Sequence, residues 1–154
     1  MDGLSENYLS HIGRVAVSFY VSAPDLNPER VTAAIGLQPH STAKKGDERS
    51  NYAGQVISPH KKGHWKISTK GKLTSKDVNE HFSYLLGVLL PHKQTLVKLI
   101  HELNGESDFD VLWESNYLYA GTGPLLSRET ITGVGQLEAA IGFDIYQIEQ
   151  QDNS

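Results

Sequence analysis

The run from Leu73 to Gly105 constrains this chain more than any other stretch. Val78, Phe82, Leu85, Leu86 and Leu89 recur at spacings of three and four, which is one face of a helix. Pro91 interrupts it, because proline removes a helix hydrogen bond and clashes with the preceding turn. The pattern resumes at Leu96, Leu99, Ile100 and Leu103, and Asn104-Gly105 offers a left-handed stop. Thr74 or Ser75 is expected to cap the first helix, with Asp77 in its first turn near the positive end of the dipole. Lys93, Gln94, Lys98 and Glu102 keep the outer face wet. A membrane or a partner could cover such a stripe, but its ordinary width favours the chain's own sheet.

The flanking segments supply strands for that sheet. Val15, Val17, Phe19 and Val21 alternate with Ala16, Ser18 and Tyr20. Trp65, Ile67 and Thr69 alternate within His64 to Thr69, and Phe109, Val111, Trp113 and Tyr117 do so within Phe109 to Tyr117. A last strand is expected over Phe143 to Ile148, and a brief one at Leu125-Leu126. Asn27-Pro28 opens a short helix that Gly36 closes. Ser127 caps another, expected to run through Ile131, Val134, Leu137 and Ile141 to Gly142. Ala-Ala-Ile-Gly follows both caps, at Ala33 to Gly36 and Ala139 to Gly142, an echo compatible with duplication or coincidence. The fold class is therefore α+β. It consists of an antiparallel or mixed sheet of four to six strands with helices on one face, ferredoxin-like or a duplicated strand–helix–strand arrangement. The expected organisation is one domain over 14–148, between an N-terminal tail at 1–13 and a C-terminal tail at 149–154.

Composition narrows the function classes. The 154 residues are 38% hydrophobic and 21% charged, a globular balance. No segment approaches the roughly 18 apolar residues of a membrane span, and the first residues lack a signal-peptide pattern. The absence of Cys excludes disulfides, thiolate metal ligands and Cys nucleophiles, and is compatible with a reducing cytoplasm. The net charge of −4 hides a split: residues 40–76 carry +7, residues 77–154 carry −9, and the first 39 carry −2. Such a split creates a field unless folding interleaves the segments.

The residues from the first strand onward resemble a small bacterial family catalogued as domain of unknown function 4279. The likeness runs through Asp25-Leu26-Asn27-Pro28-Glu29, Ile35-Gly36-Leu37-Gln38-Pro39, Lys45-Gly46-Asp47, Gly63-His64-Trp65 and Gly142-Phe143-Asp144-Ile145-Tyr146, over roughly residues 14 to 148. The resemblance implies a cytoplasmic bacterial protein and brings no established activity or ligand.

Residues 40–63 read as a long irregular excursion, with a short strand near Gln55 to Ile57. Loops of this length in small domains are often functional. Lys44, Lys45, Arg49, Lys61, Lys62 and Lys66 could meet phosphates or an acidic protein face. Asp47 beside Gly46 could shape the loop and pair with Arg49. His64 and Trp65 complete the candidate set, although Trp65 is most simply a core anchor. His60 and His64 are four apart, but Pro59 and Gly63 argue against the helix that would align them on a metal. His-Glu-x-x-His, Gly-x-Ser-x-Gly and P-loop patterns are absent. No catalytic residue, metal site or cofactor is therefore assigned. The leading expectation is a non-enzymatic protein-binding module whose partner presents an acidic face. The alternative is a cleft for an anionic substrate built from Lys45, Asp47, Arg49, His64 and Trp65. An isoelectric point near 5.9 argues against nucleic acid. The sequence leaves the oligomeric state open.

Overall fold

Alternation along one long strand sets the layout. The computed structural model describes residues 9–116 and 123–148. In chain order its elements are β1 (Ile12–Ala23), α1 (Glu29–Ile35), β2 (Ser41–Ala43), β3 (Arg49–Ser50), β4 (Val56–Ile57), β5 (Gly63–Ser68), α2 (Val78–Leu89), a 3-10 turn (Leu90–His92), α3 (Lys93–Glu102), β6 (Glu106–Asn116), α4 (Arg128–Gln136) and β7 (Ala140–Ile148). β1 runs between β5 and β6, antiparallel to both. Phe19 stands opposite Ile67 on one side and Phe109 on the other, and Val21 stands opposite Trp65. Because side chains alternate across a sheet, these residues share one face. That face is buried with the apolar stripes of the helices in a single core.

The five-stranded sheet has the order β2-β5-β1-β6-β7, with a separate two-stranded ribbon of β3 and β4. All pairings in the large sheet are antiparallel except β6 with β7, which is parallel. The four strands β2-β5-β1-β6 form two interleaved split strand–helix–strand units, which is the ferredoxin-like arrangement. α4 and β7 extend it by one parallel strand.

Local chemistry explains the helix ends. α2 buries Val78, Phe82, Leu85, Leu86 and Leu89, and α3 buries Leu96, Leu99 and Ile100, as the spacing predicts. Each such side chain removed from water is worth about 1.5–3 kcal/mol. Pro91 lies in the 3-10 turn that separates the two helices. The cap of α2 is Asp77, not Thr74 or Ser75: its carboxylate accepts from the Asn79 N–H at 2.9 Å, while Ser75 Oγ accepts from the Asp77 N–H. Ser127 caps α4 through the Thr130 N–H at 3.1 Å, as expected. Asn27 Oδ1 accepts from the Glu29 N–H, and Gly36 closes α1 with φ 71°.

Three expectations shift. α4 stops at Gln136 rather than running to Ile141: Glu138 turns left-handed at φ 54°, and Ile141 joins β7 opposite Phe109. Pairing along β6 outweighs extending a helix already weakened by two glycines. The Ala-Ala-Ile-Gly echo is consequently helix end in one place and strand in the other. Leu125-Leu126 is irregular, and β1 begins at Ile12, inside the expected tail. Tyr117 lies outside the described residues, as do both extreme tails.

Gly133 has a packing role. A Cβ there would sit 2.6 Å from Leu86 Cδ1, so the glycine lets α4 approach α2 closely. Asn79 joins the same two helices, because its Oδ1 accepts from the Ser127 N–H at 2.8 Å and from Thr130 Oγ1 at 2.9 Å.

Candidate functional site

The excursion is a β-arm. β2 pairs with the start of β5, Thr42 standing opposite Trp65. Beyond it, Gly46 N–H donates to His60 O at 2.8 Å and His60 N–H to Asp47 O at 3.0 Å. The ladder ends with Arg49 opposite Ile57 and Ser50 opposite Val56. The strand expected near Gln55 to Ile57 is thus β4, and β3 is its partner. Asp47 shapes the base: its Oδ2 accepts from the Lys44 N–H at 2.8 Å, and Gly46 turns at φ 90°. Asn51 shapes the tip, its Oδ1 accepting from the N–H groups of Ala53 and Gln55, both at 3.0 Å. Arg49 Nε donates to Ser58 O at 3.1 Å, which replaces the expected pairing with Asp47.

Polar backbone and Asx turns hold this arm out, not a core. Every residue from Lys44 to Pro59 is exposed, and the Tyr52 ring stands wholly in solvent. Lys44, Lys45, Arg49 and Lys61 make no ion pair among the described residues. Lys62 reaches Glu106 at 3.9 Å, with both side chains largely exposed, a geometry worth at most about 1 kcal/mol. Apart from Lys62, the cations of the excursion therefore share one protrusion without an ion-pair partner among the described residues. Alongside them stand Tyr52 and Val56.

His64 and Trp65, adjacent in sequence, face opposite sides of the sheet. Trp65 is fully buried on the helix side, its Nε1–H donating to Thr32 Oγ1 at 3.0 Å. It is a core anchor, and its inclusion among contact residues is corrected by that burial. The cleft built from Lys45, Asp47, Arg49, His64 and Trp65 accordingly does not form. His64 lies on the open face, its ring 5.1 Å from that of His60 and 6.0 Å from that of Tyr20. Burial, then the charges of His60 and Lys66, lower its pKa. Lys66 Nζ sits over the Tyr20 ring at 5.2 Å. Among the described residues no group of three or more His, Asp or Glu is placed to hold a metal.

Across β1 the same open face turns acidic. Asp108 stands opposite Tyr20, and Asp110 opposite Ser18. The Asp110 carboxyl is pushed up to about 6, first by burial, then by the charge of Asp144 and a hydrogen bond with it. Burial and Glu106 raise Asp108 as well. Alternation in β6 placed Asp110 and Glu114 opposite the aromatic face; Asp144 as a neighbour required the β6–β7 pairing, which no local pattern displays.

A family model described as Domain of unknown function (DUF4279) matches residues 12–148, and the chain belongs to that family. Neither a curated protein nor a solved structure matches it.

Proposed function

We propose that this member of the DUF4279 family is a non-enzymatic protein-binding module of the bacterial cytoplasm, and that its cationic β-arm is the contact surface for an acidic face on another protein. The observation that carries the reading is the arm itself. It exposes Lys44, Lys45, Arg49 and Lys61 without ion-pair partners among the described residues, beside Tyr52 and Val56. Tyr and Arg are enriched at protein interfaces, and exposed like charges accelerate encounter with an oppositely charged partner. A ribbon paired over two residues per strand adds little to a core, so recognition accounts for it better than stability does.

The test compares wild type with a variant in which Lys44, Lys45, Lys61 and Lys62 are changed to Glu. Proteins captured from a bacterial lysate are identified, and their association rates are measured against salt. The reading expects partners lost by the variant, a wild-type rate that falls steeply with salt, and an unchanged melting temperature. An identical set of partners for both proteins overturns it.

A further inference from the structure

The two edges of the sheet are built differently. β2 is three residues long and leads into Lys44, Lys45 and a left-handed Gly46, with Pro39 just before it. Short length, lysines and irregular backbone are the devices that keep an edge from pairing. β7 has none of them. It is nine residues long, contains no proline, and carries one charge, Asp144. Among the described residues it pairs with β6 on one side only. It also exposes large side chains on both faces: Phe143 (44%) and Ile145 (53%) on the helix side, Tyr146 (49%) and Ile148 (41%) on the other.

We propose that β7 is a self-association edge, on which two copies of this chain pair β7 with β7, antiparallel, across a two-fold axis at Ile145. An isologous contact requires a surface complementary to itself, and an open strand meets its own copy antiparallel across a two-fold. The head-to-tail alternative, β7 against β2 of another copy, is blocked by the short, lysine-flanked β2. Charge rules out one register. Centring on Asp144 would set two carboxylates face to face, which is destabilising. Centring on Ile145 sets Ile145 against Ile145 and Asp144 against Tyr146, a hydroxyl within reach of a carboxylate. It also places Gly142 against Ile148. Side chains of this size carry about 150–250 Å², so the four exposed ones leave on the order of 700 Å² across two copies. The main-chain ladder and flanking residues add to this, toward the roughly 1,000 Å² that a specific interface needs.

Sedimentation of the full chain through the micromolar range is expected to show a species of twice 17.0 kDa. Ile145→Lys is expected to be monomeric with an unchanged circular dichroism spectrum, since the replaced side chain is exposed. The chain has no Cys, so Ile145→Cys supplies a single reporter. Antiparallel partners lie about 4.5–5.5 Å apart at Cα, within disulfide reach. Ile145→Cys is expected to form a linked dimer under mild oxidant, and Ser41→Cys on the opposite edge is not. A wild type monomeric throughout overturns the proposal. So does a dimer that survives Ile145→Lys, or one in which Ser41→Cys links and Ile145→Cys does not. The arm variant with four Lys→Glu changes should dimerise as wild type does, which keeps this test separate from that of the arm.

Discussion

Thr69→Val isolates one hydrogen-bonded knot between the sheet and α2. Thr69 and His81 are both fully buried. His81 Nε2 lies 2.7 Å from Ser75 O, and a carbonyl only accepts, so Nε2 carries the proton. The other ring nitrogen, Nδ1, is paired with the Thr69 hydroxyl at 2.6 Å. The same oxygen accepts from the Val17 N–H at 3.0 Å. Valine keeps the shape and removes the oxygen, leaving the Val17 N–H and His81 Nδ1 without partners. Each orphan costs about 1–3 kcal/mol, and the new methyl returns about 0.8 kcal/mol. The expected net loss is about 1–5 kcal/mol, a large share of the roughly 5–15 kcal/mol that holds a domain of this size together. Urea unfolding followed by Trp fluorescence is expected to show a lower midpoint with an unchanged slope. His81→Phe removes the orphaned ring nitrogen, so in Thr69→Val/His81→Phe the penalties should fall short of additive by about 1–2 kcal/mol. A Thr69→Val cost below about 0.5 kcal/mol, or full additivity, refutes the network as drawn.

Three further outcomes are expected. The Asp110 carboxyl, raised from 3.8 to about 6, keeps a proton in the folded chain that the unfolded chain has already released. Stability should therefore decline as pH rises from about 4 through about 6, by no more than about 1 kcal/mol because the group is partly solvated. Urea midpoints against pH should show a shallower decline in Asp110→Asn, with a remainder from Asp108; an identical slope counts against the pairing with Asp144. Asn79→Ala should cost about 1–2.5 kcal/mol by releasing Ser127 and Thr130, seen as faster amide exchange at the start of α4 than in β1. Gly63→Ala should cost more than Gly133→Ala in thermal melts, because its new Cβ meets the Leu26 carbonyl oxygen whereas the other meets the movable end of Leu86. About 1–3 kcal/mol is the usual range for such overpacking.

Much of the scaffold was legible because it is written in local periodicity. The stripe from Val78 to Leu89, the break at Pro91 and the alternation of β1, β5 and β6 each need only neighbouring residues. What stayed hidden depends on contacts between distant segments. His81 reads as one polar residue among seven histidines, yet it lies three after Val78 and four before Leu85, on the buried stripe. Only Thr69 and the Ser75 carbonyl make that position tolerable. The end of α4 was misplaced because Ile141 suits a helical stripe as well as a strand, and its pairing with Phe109 decided the matter. The arm's charges were found from composition. Its hairpin form was not, because β3 and β4 are two residues each and are fixed by turns at Asp47 and Asn51 rather than by any apolar pattern.

The charge split along the sequence survives folding because of strand order. Residues 40–76 include β2, the arm and β5, all on one side of β1, and residues 106–148 include β6 and β7 on the other. Had β5 and β6 been neighbours, His64 and Lys66 would face the carboxylates of Asp108 and Asp110 directly, and the field would collapse into cross-strand ion pairs. With β1 between them, the two rows stand two strand spacings apart, about 9–10 Å, which is already about one screening length at physiological salt. Lys66 turns instead onto the ring of Tyr20, a residue of the intervening strand. Attraction across the sheet is thus reduced, and of the arm's cations Lys62 alone reaches the acidic side among the described residues, at Glu106 3.9 Å away. The topology that places the most apolar strand at the centre is therefore also what leaves Lys44, Lys45, Arg49 and Lys61 without an ion-pair partner among the described residues.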